Sequence, residues 1–520
     1  MTSAAVTQGR ANPATQRSAR PEMQGRARPG TEDRTRAGPR DRAGTRAAIL
    51  LTGATGYVGG CLLRRFEHDG LRVRCLTRRP EVLRRQAAPG TEVVAGDVLE
   101  PESLIAALDG VEIAYYLVHS MDARGSFADL DRRAAGNFAR AARAAGVGHI
   151  VYLSGLGSGD ELSTHLASRH EVGHILRGSG IVTTELRASI VIGVGSASFE
   201  IVRAIVERLP AIPAPNWVDT AAQPIAIDDV VEYLFAAQTG LPTRSAIFEI
   251  GGDDRVTYAD VMREYARQRR LRRRVFSLPV LTGRAWRLLL GLLIPSHGRV
   301  AGAMVDSLRN ETVVSDPAAR EAFAVNPSGL PEAIERALAG EDHDFAEMTW
   351  GKVLPAAAPP RWGGSSVRGR LVTSRVEYVH VSPREAFAPI QRIGGPTGWY
   401  GVDWFWHLRG ILDELQGGEG MRRGRPDPDQ LHVGDTVDFW RVERIESGRR
   451  LLLAAEMKIP GRLWLQFEVE ANGARTGIRQ TTVFDPAGYV GLAYWYVLYP
   501  VHRTIFGAML RGLHRVTQSR

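Results

Sequence analysis

The sequence predicts an α/β chain: a doubly wound parallel sheet, followed by a smaller α+β unit built on an antiparallel meander. Three observations predict it. A short apolar run, Ala47–Leu51, leads into three evenly spaced glycines and then an amphipathic segment ending at His68. Apolar runs and amphipathic segments then alternate at close spacing as far as Arg187, which demands parallel strands joined by right-handed crossovers. Beyond a Pro/Ala/Gly-rich stretch, Leu354–Ser366, the pattern changes to alternating runs with a hairpin signal at Asn472-Gly473.

Composition narrows the class. The chain has 520 residues, 44% of them hydrophobic, enough for more than one core. Its net charge is +9, but Met1–Arg46 holds ten Arg against four acids, so six of those nine charges sit in one segment. The rest is nearly balanced, which argues against a nucleic-acid-binding fold. The Arg-rich segment has no apolar stretch of the secretory kind and cannot bury a core, so disorder is expected over 1–46. Two cysteines, Cys61 and Cys75, fit a reducing, cytoplasmic setting, and no Cys/His cluster of metal-ligand type occurs. No apolar run reaches the length of a spanning helix.

Taken in order, Ala47–Leu51 reads as a buried strand entering Gly53-x-x-Gly56-x-x-Gly59. Gly53 permits a tight turn, Gly56 lets backbone approach a pyrophosphate, and Gly59 allows close helix–strand contact. The helix start offers unpaired N–H groups and a positive dipole end. Strand, glycine turn and helix together predict dinucleotide binding by Gly53, Ala54, Thr55, Gly56, Tyr57, Val58 and Gly59.

The next strand, Leu71–Thr77, ends at Thr77-Arg78-Arg79-Pro80. An NAD-preferring unit carries an acid near this point; here Arg78 and Arg79 stand about 25 residues past Gly53. A guanidinium pairs bidentately with a phosphate dianion, so the cofactor expected is NADP(H), with NAD(H) the alternative. A third strand, Glu92–Ala95, leads to Gly96-Asp97-Val98, where Asp97 can reach an adenine amino group or simply hold a turn. Pro101–Leu108 is a helix with Pro at its start. The fourth strand, Glu112–Val118, brings Leu117, Val118 and His119 to the sheet edge where open α/β folds bind ligands. A helix over Phe127–Ala145, a strand His149–Leu153 ending at Ser154-Gly155, a helix Ser163–Arg177 and a strand Val182–Arg187 complete the alternation. Helices at Phe199–Leu209, Ile227–Ala237, Tyr258–Arg267 and Pro331–Leu338, with a strand at Ile247–Ile250, are expected to build a substrate lobe.

Thr52–Gly59, Thr77-Arg78-Arg79, Gly96-Asp97-Val98, Ser168-Arg169-His170-Glu171, Ile227-Asp228-Asp229-Val230 and Phe248–Gly252 together resemble the atypical and extended short-chain dehydrogenase/reductases. The likeness covers roughly residues 47–270 and is nearest to NmrA-like sensors and relatives of the complex I 39 kDa subunit. Tyr116–Met121 resembles bacterial members with an extra C-terminal domain of unknown function, DUF2867-like. The resemblance implies a Rossmann-type core and hydride transfer. It also implies a tyrosine four residues before a lysine on the helix after the fifth strand, the tyrosine acting as general acid. This chain has His165 and Arg169 there. Arg169 can contact a ribose but cannot deprotonate, and His165 can shuttle a proton near neutral pH; alternatively, both are surface residues of a helix whose catalytic job has lapsed. Ser154 keeps the serine position, and His119 is a further acid/base candidate.

Val280–Ile294 is strongly apolar but only about 15 residues long, too short to span a bilayer. After the linker, a strand Arg370–Val381, a helix capped by Ser382 with Pro383 at its first position, strands near Thr436–Glu443, Arg450–Met457, Gly461–Ala471 and Gly473–Phe484, and a helix Gly488–Val516 interrupted by Pro500 are expected. This order resembles the START/polyketide-cyclase-like helix-grip fold, which implies a cavity for an apolar ligand. Trp362, Trp399, Trp404, Trp406, Trp440, Trp464 and Trp495 either line such a pocket or fill a small core. Tyr489, Tyr494, Trp495, Tyr496 and Tyr499, with Arg503 and Arg511, form a candidate membrane-surface belt.

The expected organisation is a tail over 1–46, a reductase-like domain over 47–345 (core 47–190, substrate lobe 191–345), a linker over 346–366 and a helix-grip-like domain over 367–520. The expected function is an NADP(H)-dependent oxidoreductase, without the usual Tyr/Lys pair, acting on a small hydrophobic carbonyl or quinone. A non-catalytic NADP(H) sensor or assembly factor, and a membrane-surface lipid-binding protein, are the alternatives. A small hydrophobic ligand and a peripheral membrane are the expected partners; the sequence leaves the oligomeric state open.

Overall fold

A computed structural model of the chain describes residues 49–120, 126–157, 161–240, 242–278, 306–347, 362–367, 370–401, 425, 427, 429–473 and 475–519. The Arg-rich tail, the apolar stretch 280–294, most of the linker, and Trp404, Phe405 and Trp406 lie outside the described residues.

Six strands alternate with five helices: β1 (Ile49–Thr52), α1 (Tyr57–His68), β2 (Val73–Thr77), α2 (Pro80–Arg84), β3 (Glu92–Ala95), α3 (Pro101–Leu108), β4 (Ile113–Tyr116), α4 (Phe127–Ala144), β5 (His149–Gly155), α5 (Thr164–Arg177) and β6 (Val182–Ala188). A seventh strand, Ala246–Ile250, joins them, and the order across the sheet is seventh–β6–β5–β4–β1–β2–β3. Every pairing in it is parallel. Parallel strands covered on both faces must be apolar throughout, and β1, β2 and β4 are buried at every residue. The short helix α2 was not legible from the pattern; Pro80 at its start supports a single turn or so beyond Arg79.

The winding reverses between β1 and β4, so their carboxyl ends flank a crevice. Helix α5 is fixed beneath this crevice by a buried charge. Glu185 of β6 is wholly buried and pairs with Arg177 of α5 and with Arg187 at 2.8 Å. Gly173 of α5 lies directly on that carboxylate, where a Cβ would overlap it.

Beyond β6, α6 (Ala197–Arg208) and α8 (Tyr258–Gln268) share a core of their own, whereas α7 (Ile227–Ala236) packs on α1 against the main sheet and Ala246–Ile250, expected in the lobe, joins that sheet. Short pairs tie the lobe together: Val191–Ile192 with Ile225–Ala226, and Ala211–Ala214 with Arg274–Ser277. These segments are two to four residues long, too short to carry a readable period.

The C-terminal half is a seven-stranded antiparallel sheet beginning with Ser365–Val367 and Arg370–Val379 and ending at Trp440–Glu446 and Thr436–Val437. Its centre is the hairpin Gly461–Asn472 and Arg475–Pro486, in which Asn472 pairs with Arg475 and Gly473 takes φ +61°. Ser382 and Glu385 close a reciprocal capping box on the helix Pro383–Gln391. The terminal helix, Gly488–Gln518, continues through Pro500 and packs on the sheet. Trp399, Trp440 and Trp495 are fully buried in this core, with Trp495 stacked on Phe484 at 5.0 Å. These three rings therefore fill a core. Trp495 and Tyr499, buried at 1% and 5% exposure, also drop out of the membrane belt expected for them.

The two halves meet at a buried ionic cluster. Asp485 pairs with Arg462 at 2.7 Å, Arg269 at 2.9 Å and Arg370 at 3.6 Å. Arg269 of α8 also reaches Glu207 of α6 at 3.3 Å, and Tyr265 donates to Glu207 at 2.6 Å.

Candidate active site and nucleotide groove

The chain leaves β1 at Thr52 and turns at Gly53, where φ is +77°. Thr52 Oγ1 donates to the Tyr115 carbonyl at 2.9 Å and accepts from the Leu117 N–H at 3.2 Å, clamping the ends of β1 and β4 together. A Cβ on Gly53 would stand 2.5 Å from the Leu117 carbonyl oxygen. Gly56 donates to the Gly53 carbonyl at 2.9 Å and, in extended conformation, opens α1 at the surface of the crevice. Gly59 lies against that same carbonyl, where a Cβ would overlap backbone. Ala54 turns into the core at 3% exposure, so only its backbone can serve a ligand; its side chain is withdrawn from the expected set.

A groove of about 540 Å³ runs from this turn across the sheet edge. Its walls are Leu76–Arg79 after β2, Gly96–Leu99 after β3 and Leu117–Ser120 after β4. Arg78 and Arg79 are exposed on its rim. Asp97 Oδ1 accepts from the Leu99 N–H at 3.0 Å, so one carboxylate oxygen holds the local turn. Val98 is packed into the wall, while Leu117 and Val118 are half-buried beside it. The exposed start of α1, the close backbone packing that Gly53 and Gly59 permit behind it, and two guanidinium groups on the rim fit a dinucleotide.

A second cavity, of about 470 Å³, opens on the same turn. The two share Gly53, Gly56, Leu117 and His119, so they form one continuous site. Tyr57 and Val58 line this second chamber rather than the groove. The Tyr57 hydroxyl nests against Gly193, where a Cβ would overlap it, and burial pushes its pKa up. The lining is mostly apolar. Ile201, Val202 and Ile205 come from α6, Tyr258 and Met262 from α8, with Trp217 between them in sequence. Sequence reasoning missed this wall. The spacing of Ile201, Val202 and Ile205 marks a buried helix face but not which cavity it faces.

Ser154, His165 and Arg169 all line the chamber, and exposed His119 lines both it and the groove. Ser154 is 2% exposed, with the Tyr152 phenol as a polar neighbour. Arg169 donates to the Leu153 carbonyl at 2.5 Å, and its guanidinium lies 5.9 Å from the Tyr152 ring. His165 Nδ1 lies 3.3 Å from Ser307 Oγ, which in turn lies 2.8 Å from Ser163 Oγ. His165 Nε2 is buried without a hydrogen-bond partner among the described residues.

Two expectations are corrected here. His165 and Arg169, expected on the helix surface in one of the two readings, are half-buried and line the chamber. Nor does His165 titrate near neutrality: burial, then Arg169 and His119, push its pKa down to about 3. A neutral imidazole keeps one N–H donor and one acceptor nitrogen, and the Ser307 hydroxyl can serve Nδ1 in either role.

A consequence for stability follows. Burial also lowers His149, which bonds Thr184 Oγ1 at 2.8 Å, to about 4. Both histidines are neutral when folded, whereas the unfolded chain takes up protons from about pH 6.5 downward. Stability is therefore complete above pH 6.5 and is lost progressively as pH falls toward 4 and then 3. Urea midpoints followed by circular dichroism across this range should fall with acid, and His149→Gln should flatten the slope.

Two stretches of the chain match family models. Residues 53–191 match the family model described as NAD(P)H-binding, and residues 373–509 match the protein of unknown function family DUF2867. A ceramide reductase from Caulobacter vibrioides is 27% identical over 237 residues, covering 45% of this chain and 74% of that protein. An NAD(P)H azoreductase from Xenophilus azovorans is 33% identical over 110 residues, 21% of this chain and 36% of that protein. Among solved structures, a Citrobacter triphenylmethane reductase complexed with NADP(H) aligns over 56% of this chain and 99% of its own, with 19% identity and a TM-score of 0.47. The chain thus joins a region of the NAD(P)H-binding family model to one of the DUF2867 model.

Proposed function

We propose that the chain is an NADPH-dependent reductase of a hydrophobic carbonyl compound borne on an aliphatic or ring scaffold. One observation carries this reading: a mostly apolar chamber opens directly onto the glycine turn, with the polar residues Ser154, His165 and Arg169 in its lining. The relative named ceramide reductase favours a lipid-like substrate within this class.

Gly53, Gly56 and the start of α1 would hold the pyrophosphate, and Arg78 with Arg79 the ribose phosphate. Reduced nicotinamide bound there supplies hydride to a carbonyl carbon. The protein's own part is to place that carbonyl. His165 and Ser154, both in the chamber lining, would offer it hydrogen bonds where negative charge develops on oxygen. Arg169 anchors the end of β5 through Leu153 and so fixes Ser154. Ile201, Val202, Ile205 and Met262 exclude water from the chamber. His119, which lines both the chamber and the groove, can relay a proton from solvent to the alkoxide site.

The test is oxidation of NADPH in the presence of long-chain ketones and quinones. His165→Phe should lower kcat roughly 100-fold while leaving NADPH affinity intact. Because the imidazole stays neutral down to about pH 3, kcat should show no inflection from this residue near pH 6.5. Arg78→Asp should weaken NADPH roughly 10- to 100-fold and NADH far less, as titration fluorimetry would show; equal losses would remove the phosphate-reading role.

The replacement of the Tyr/Lys pair by His165 and Arg169 favours one second reading, an NADP(H) sensor without turnover. A cofactor that binds but is oxidised by no member of the carbonyl panel would select it.

A further inference from the structure

The terminal helix has two apolar faces where folding needs one. Its inner face sends Trp495, Ile505, Met509 and Leu513 into the core. Its outer face, over the first half, exposes Tyr489, Val490, Tyr496, Val497, Pro500 and Val501. Val490 and Val497 are 71% and 73% exposed. At 3.6 residues per turn these positions share one side of the helix. Trp362, 64% exposed and 5.3 Å from the Tyr499 ring, widens the patch. Contiguous apolar surface of this kind marks an interaction site.

The same side turns cationic farther along. Arg503, Arg511 and Arg515 are exposed there, and the helix contains no carboxylate. Arg375, from the neighbouring strand, donates to the Arg503 carbonyl at 2.7 Å. Burial, with Arg503 and Arg511 nearby, pushes its pKa down. Four like charges, Arg375, Arg503, Arg511 and Arg515, are thus gathered beside an apolar stripe of tyrosines and valines.

We infer that this face of the terminal helix docks the protein on the surface of an anionic lipid bilayer, with the apolar half in the acyl boundary and the arginines on the headgroups. Tyrosines and arginines flanking aliphatic residues are the composition of a helix lying in the interface plane. Among the described residues no helix is long and apolar enough to cross a membrane, so the contact is peripheral. A second copy fits this face less well. Parallel pairing would set arginine against arginine, and antiparallel pairing would bury arginines against valines, with no acid on either helix. The inference stands independently of the reductase reading.

Flotation of the full-length protein tests it, using vesicles of phosphatidylcholine alone and with about a third phosphatidylglycerol. The wild type should float with the anionic vesicles and stay down with the neutral ones. Val490→Glu/Val497→Glu should lose roughly tenfold or more of that binding while keeping NADPH affinity and melting temperature. Arg511→Glu/Arg515→Glu should reduce both the binding and its salt dependence. Absence of flotation with anionic vesicles, or unchanged flotation of the valine variant, would overturn the proposal. So would a wild-type dimer in sedimentation that the valine variant converts to monomer, since a second copy would then own the face.

Discussion

Gly53→Val should abolish nicotinamide nucleotide binding and leave a measurably weaker fold. The residue sits at φ +77°, a region a β-branched side chain resists, and its Cβ would meet the Leu117 carbonyl oxygen at 2.5 Å and carbon at 2.9 Å. Those are backbone atoms, and they cannot retreat easily. The Leu117 N–H is held by Thr52 Oγ1, which also binds the Tyr115 carbonyl. Relief must come from opening the gap between β1 and β4, the same gap that shapes the groove. Strain and overpacking together suggest a loss of about 2–4 kcal/mol. Fluorescence titration should show no saturation at millimolar NADPH or NADH. Gly60→Ala is the control: its Cβ meets the Ala54 carbonyl at an ordinary 3.4 Å and should bind as wild type. Retention of near-native affinity by Gly53→Val would sink the assignment of the groove.

Asp485→Asn should cost about 3–5 kcal/mol of stability, read as a lowered urea midpoint, with little change in side-chain volume. The carboxylate is 1% exposed, and Arg370 beside it is wholly buried. Burial alone would raise the acid's pKa, but Arg269, Arg370 and Arg462 hold it well below the usual carboxylate range. Removing that charge leaves three guanidinium groups facing each other, with Glu207 beside Arg269 and the Trp464 ring 4.8 Å from Arg370 and 5.0 Å from Arg462. A loss below about 1 kcal/mol would mean the cluster is better hydrated than its burial indicates.

How much of this was legible in the sequence depended on range. The glycine turn, the strand alternation to Arg187, the Ser382 cap and the Asn472-Gly473 hairpin are local codes, written within a few residues, and all appear where expected. His165 was misread because its helix is polar around the position; only Ser307, more than a hundred residues later, completes its surroundings. The Asp485 cluster was invisible for the same reason. Its members lie at 207, 269, 370, 462 and 485, and no periodicity links them. Trp495 and Tyr496 show the limit within a single helix: adjacent aromatics, one in the core and one outside.

Helices α6 and α8 each serve two neighbours. On α6, Ile201, Val202 and Ile205 line the chamber while Arg203 and Glu207 belong to the charged junction. On α8, Tyr258 and Met262 line the chamber while Tyr265 and Arg269 reach the junction. The rods that brace the reactive cavity are also the footing on which the rest of the molecule stands. A tilt of the terminal half large enough to disturb Asp485 has to be absorbed by those rods, and the volume available to a bound molecule changes with it.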